Sequence, residues 1–235
     1  MNCKLCPFDE EKWKSLESSE QYQKLLIRLF YSKDFDLECL SRSLRLCSIS
    51  PEKASKIICE VLEHTRIEDI ISILKEESAL YTIDSGNIPQ FSDLSVCLYG
   101  VIDALVRANT EDVTYEKMGY LLRTEPRSRC ADTKYGENQA KTAESLGLCS
   151  ISPKHFIKST PFGVYFSKLT KDQKTIIAPK LALRIPLIQN YFIMGKREEY
   201  IQEVLSILKE STQKRRLPNI KSLIHIIEQS IENGV

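Results

Sequence analysis

The chain has 235 residues, 42% of them hydrophobic, with only 8 glycines. That length and apolar fraction exclude a disordered chain, and the scarcity of glycine favours helices over a turn-rich sheet protein. The net charge of +1 conceals an asymmetry: residues 1–110 carry 13 basic against 18 acidic side chains, whereas residues 111–235 carry 20 against 14. A basic half suits a polyanionic partner, although uneven surface charge gives the same counts.

The N-terminus, MNCKLCPFDEEKW, is charged and has no signal-peptide core, and no apolar run reaches the ~18 residues that span a bilayer. A cytoplasmic chain with no membrane partner is therefore expected. Its eight cysteines (Cys3, Cys6, Cys39, Cys47, Cys59, Cys97, Cys130 and Cys149) then read as reduced thiols, mostly buried, rather than disulfides.

Taken in order, residues 10–31 show apolar side chains at helical spacing, from Trp13 to Phe30. Residues 36–64 read as helix, turn, helix, with Ser50 as N-cap before an N1 proline, Pro51. This fits a helix-turn-helix unit or an ordinary helical hairpin. A helix over 66–77 and a short hairpin turning at Asp84–Asn87 follow, then a helix from Asp93 to Ala108. Thr114 caps a helix over TYEKMGYLL, and the polar stretch RTEPRSRCADTKYGENQ leads into ENQAKTAESLGL. The segments CSIS and FIKS read as a strand pair, and TPFGVYF opens a helix. The run from Leu169 to Phe192 reads as helix broken near Pro179 and again around Pro186, and two further helical segments, 197–210 and 211–231, end the chain. Leu44–Pro51 (LRLCSISP) and Leu146–Pro153 (LGLCSISP) differ at one position in eight, which suggests two related modules.

Residues 113–163 have the order of a winged helix: a support helix, a second helix and a β-wing. In such units the second helix lies in the major groove and the wing touches the backbone. Asn138, Gln139, Lys141 and Thr142 alternate with apolar Ala140, Ala143 and Leu146. Asn and Gln pair bidentately with adenine, and Lys contacts guanine or phosphate. Upstream, Arg127, Arg129 and Lys134 form a cationic loop for phosphates, and the wing offers Lys154, His155 and Lys158.

Three segments carry a resemblance: Gln139-Ala140 with Leu146-Gly147-Leu148, the Thr160-Pro161-Phe162-Gly163 turn, and Leu183-Arg184-Ile185-Pro186-Leu187-Ile188-Gln189. Together they resemble the winged-helix domain attached to bacterial type II restriction endonucleases, over about residues 93–228. The Thr-Pro-x-Gly turn also occurs in winged helices attached to transporter ATPases. The resemblance implies duplex DNA binding, and it extends to STQKRRLPNIKSLIHII, similar to the recognition helix of a second module. On that basis Thr212, Lys214, Arg215, Arg216, Asn219 and Lys221 also contact DNA. This chain stops soon after that helix with no room for a second wing, so the second module is expected to be incomplete. Lys214-Arg215-Arg216 is equally readable as a solvated helix start.

No catalytic residue is assigned. Glu10-Glu11-Lys12 and Asp172-Gln173-Lys174 have a nuclease-like acidic-x-Lys form, but both fall in predicted helices. His64, His155 and His225 lie far apart, and no glycine-rich phosphate loop is present. Cys3 and Cys6 have zinc half-site spacing, but without a second pair they read as free thiols, so no cofactor is expected.

The expected protein is mainly α, built of helix-turn-helix or winged-helix modules with short β-wings. Its expected divisions are an N-terminal helical domain (1–92), a winged helix (93–195) and a C-terminal helical segment (196–235) with a partial helix-turn-helix. The expected function is sequence-specific binding of double-stranded DNA, as a recognition or accessory component of a restriction-modification or defence system. A nuclease or methyltransferase subunit and a second copy of the chain are the expected protein partners. The rival readings are a Mg-dependent DNA endonuclease with an unfamiliar metal site, and a protein-interaction subunit.

Overall fold

A computed structural model describes residues 20–32, 50–77, 80–109, 112–125 and 128–234. The predicted helix at 36–49, the first copy of the echoed octapeptide up to Ile49, and Cys3, Cys6, Glu10–Lys12 and Arg127 lie outside those residues.

The fold is mainly helical. Helix α1 spans Glu20–Tyr31, α2 Pro51–His64 and α3 Ile67–Glu77. Ser50 caps α2 by accepting from the Lys53 N–H, with Pro51 at the first helical position, so this start matches the sequence reading. The segment 80–92 forms no hairpin: Asp84 organises a turn by accepting from the Gly86 and Asn87 N–H groups, but no strands flank it. We refer to this segment as the strap.

The helix expected from Asp93 to Ala108 opens with a wide π turn over Val96–Gly100 and continues as α4, Val101–Ala108. Thr114 caps α5, Tyr115–Leu122, as its sequence predicts. Helix α6 is longer than the sequence suggests, running from Arg129 to Ser145. Ser128 accepts from the Ala131 N–H and starts it, so Arg129 and Lys134 lie on a helix and not on a loop.

Strands β1 (Cys149–Ile151) and β2 (Ile157–Ser159) pair antiparallel with Ser150 opposite Lys158, and Val113 adds a single antiparallel bridge to Ile157. Helices α7 (Pro161–Ser167), α8 (Lys171–Ala182), α9 (Pro186–Ile193), α10 (Glu198–Leu205) and α11 (Glu210–Glu232) complete the chain. Pro179 does not break α8, because it sits in the last turn and forfeits only one backbone bond. The interruption falls at Leu183–Ile185 instead.

The buried apolar side chains form one cluster from Leu26 to Ile227. The most extensive helix contact among the described residues joins α5 and α6. Glycine makes it possible: a Cβ on Gly119 would stand 1.9 Å from the Asp132 carbonyl oxygen, and one on Gly136 would stand 2.0 Å from that of Tyr115. The two backbones touch at both points.

Among the described residues the most deeply buried charged group is on α8. Lys180, 1% exposed, donates to the Leu62 carbonyl oxygen at 2.7 Å. It thereby closes one of the orphan carbonyls at the end of α2. Desolvation lowers its ammonium pKa to about 8, with Glu63 and Glu68 opposing that shift.

No described helix is long and apolar enough to cross a membrane.

Candidate nucleic-acid interface

Helix α6 is positioned by its packing on α5 and by the β1–β2 hairpin that follows it. One face is inward: Asp132, Gly136, Gln139, Ala140, Thr142 and Ala143 are buried. The opposite face carries Lys134, Asn138, Lys141 and Ser145, exposed or half-buried.

This burial corrects the predicted reading set. Gln139 is fully buried; its Oε1 accepts from the Cys97 thiol at 2.7 Å, and its Nε2 donates to Ser92 Oγ at 2.6 Å. Thr142 is 3% exposed and donates to the Gln90 carbonyl. Neither side chain is free to meet a base edge. Helical geometry explains the error: positions 139, 140 and 143 share the inward face, and Thr142 falls at its margin.

The residues that remain outward form a charged row. Lys134 and Lys141 both donate to Glu137, at 2.8 and 2.7 Å. Those two hydrogen bonds hold the Glu137 carboxyl below its ordinary range, and donating to Glu137 raises Lys141. Asn138 stands between the lysines, half-buried, and its side chain has no hydrogen-bond partner among the described residues. Arg129 is exposed and pairs with Glu116 at 2.8 Å. On the hairpin, Lys154 is exposed in the turn, and Lys158 lies 3.6 Å from Asp112. His155, at the same turn, adopts a left-handed backbone with φ of 62°.

The second predicted set is divided. Asn219 is 8% exposed and donates to the Phe91 carbonyl at 2.6 Å. Arg216 is half-buried and donates to the Ser85 and Ile88 carbonyls at 2.7 and 2.6 Å. Both bind the strap; Asn219 is buried, which corrects its assignment as a base-contacting group, while Arg216 stays partly exposed. Lys214 pairs with Glu210 at 2.7 Å, and Arg215 reaches Thr212 Oγ1 at 3.4 Å. Arg215 and Lys221 are exposed on α11. Strap and α6 also meet: Gly86–Gln90, Lys134, Asn138, Lys141 and Arg216 line one groove of about 380 Å³.

The sequence reading overlooked the strap and Glu137. Glu137 was legible, since it lies three residues after Lys134 and four before Lys141, the spacings at which helical side chains pair. The strap has no periodicity to betray it, and its partners lie up to 131 residues away.

Of the acidic-x-Lys candidates, Asp172-Gln173-Lys174 forms the first turn of α8. Gln173 completes a capping box with Thr170, and Lys174 donates to the Ser167 carbonyl. His64, His155 and His225 are exposed and separate. Among the described residues no three His, Cys, Asp or Glu side chains group around a cation position.

No family model, curated protein or solved structure matches the chain.

Proposed function

We infer that the protein binds duplex DNA, with residues 101–159 acting as a winged helix. In this reading α5 is the support helix, α6 is the helix offered to the nucleic acid, and β1–β2 is the wing. The observation that carries it is the order of elements: α4, the Val113 bridge, α5, α6, β1 and β2, with Val113 pairing to Ile157. That is the order in which winged helices join a helix-turn-helix to a hairpin.

The contacting set is smaller than the sequence suggests. Arg129, Lys134, Asn138 and Lys141 on α6, with Lys154 and Lys158 on the hairpin, supply the cations and one carboxamide. Lysines neutralise phosphates and set affinity, while Asn138 contributes base preference. Because Glu137 already shares the two α6 lysines, the electrostatic contribution is moderate and strongly salt-dependent. Recognition within a restriction-modification or defence system is the setting that the resemblance to endonuclease-attached winged helices implies.

Fluorescence anisotropy with duplexes recovered from a random-site selection tests the reading. The expected result is a linear fall of log affinity with log salt. No enrichment of any duplex, or a curve insensitive to salt, overturns it.

A further inference from the structure

The groove between α6 and the strap differs from the rest of the cationic surface in what its polar groups have left to give. Its charged groups are already engaged. Lys134 and Lys141 are taken up by Glu137, Arg216 by the strap carbonyls, and Glu144 by the Ile151 N–H at 2.8 Å. The carboxamides are not. Asn87 and Gln90 on the strap and Asn138 on α6 line the same groove, and among the described residues none of the three side chains has a hydrogen-bond partner. Pro89 and Ile185 add apolar surface beside them.

Three unspent carboxamides converging on one concavity supply donors and acceptors without net charge. That is the chemistry that reads the edge of a nucleobase. The groove's volume of about 380 Å³ falls within the range of small-molecule sites and takes one base with its sugar. It is also concave, so a base must project into it, as in an unstacked or extruded nucleotide.

The strap is held rigidly enough to serve as a wall. Asn190 clamps the Tyr81 backbone, accepting from its N–H at 3.0 Å and donating to its carbonyl at 2.8 Å. Arg216, Thr142, Asn219 and Gln139 then bind Ser85 and Ile88, Gln90, Phe91 and Ser92 in turn. A backbone fixed in this way needs little ordering on binding, so the freedom lost is mainly that of the carboxamide side chains.

We propose that this groove is a single-nucleotide site, in which Asn87, Gln90 and Asn138 hold an unpaired base, adenine by preference, of a nucleic-acid strand. Lys134 and Lys141 at its edge face the adjoining phosphates. The inference rests on the nucleic-acid reading above but not on its duplex geometry.

The test compares a matched duplex with the same duplex carrying one unpaired adenine or one unpaired thymine, and with a single strand, at constant salt. The expected result is at least about tenfold tighter binding of the unpaired-adenine duplex than of the matched one, with thymine intermediate. An unpaired 2-aminopurine changes its fluorescence on binding if its base leaves the stack. The double variant Asn87→Ala/Gln90→Ala, and separately Asn138→Ala, brings the ratio of unpaired to matched affinity to about one. Circular dichroism and thermal unfolding confirm that each variant is folded. A ratio near one in the unaltered protein, or a ratio that survives both variants, overturns the proposal. Matched-duplex binding with a ratio of one removes this site and leaves the duplex reading. Binding of the unpaired or single-stranded probes alone removes the duplex reading and leaves this site.

Discussion

Asn219 donates from Nδ2 to the carbonyl oxygen of Phe91 at 2.6 Å, across 128 residues of chain. Both partners are buried, so the bond cannot be exchanged for one to water. Truncation by Asn219→Ala leaves the Phe91 carbonyl without a donor and is expected to cost about 1–3 kcal/mol. Urea unfolding followed by circular dichroism measures this. A loss below about 0.5 kcal/mol would show that the strap draws its order from other bonds.

The α5–α6 crossing is more demanding still. In an open helix, replacing glycine by alanine adds up to about 1 kcal/mol of stability. At Gly136 the new methyl carbon would stand 2.0 Å from the Tyr115 carbonyl oxygen, and backbone cannot step aside as a side chain does. Gly136→Ala is therefore expected to destabilise by about 3 kcal/mol or more, and Gly119→Ala likewise. A melting temperature equal to that of the parent chain for either variant contradicts the contact.

Lys180 makes stability depend on pH. Its pKa is about 8 when folded against 10.5 in its ordinary state, so between those values the unfolded chain binds more protons. Stability from this group therefore rises with pH across that window, by up to about 3 kcal/mol. The buried thiols of Cys59, Cys97 and Cys149, raised by desolvation, act in the opposite direction as they ionise on unfolding. Subtracting the profile of Lys180→Met from that of the parent chain cancels their effect. The difference is expected to rise in the parent's favour from pH 8 to 10; a flat difference shows that Lys180 keeps its ordinary pKa.

On α6, two substitutions separate surface from support. Glu137→Gln frees Lys134 and Lys141 and is expected to tighten duplex binding by about threefold to tenfold at low salt, an effect lost at high salt. Gln139→Ala, by contrast, removes the partner of Cys97 and Ser92 and is expected to lower thermal stability without altering base preference. If selection with Gln139→Ala yields a different consensus sequence, the inward placement of Gln139 is wrong.

These contrasts mark what could be read from the letters alone. Helix starts were legible where the cap is local: Ser50-Pro51, Thr114 and Thr160-Pro161 each begin a helix as their side chains dictate. The β1–β2 pair was legible from its apolar strands and intervening turn. The inward face of α6 was not, because its buried positions are polar. Gln139 and Thr142 bond to Cys97 and Gln90 from distant segments, and Asp132 pairs through one oxygen with Arg123, nine residues earlier. A polar residue reads as exposed until its partner is known. The echoed octapeptide shows the same dependence on context. Ser50-Pro51 opens α2, whereas Ser152-Pro153 sits in the hairpin turn, where Ser152 accepts from the Phe156 N–H.

Gly119 and Gly136 also offer a fingerprint. Overall similarity fades as sequences diverge, but two backbones in contact tolerate no side chain at either point. A remote relative that keeps this helix pair must therefore keep both letters, each at its own place in its helix, with a capped helix start between them. Scanning for that pattern would recover kinship that average resemblance has lost.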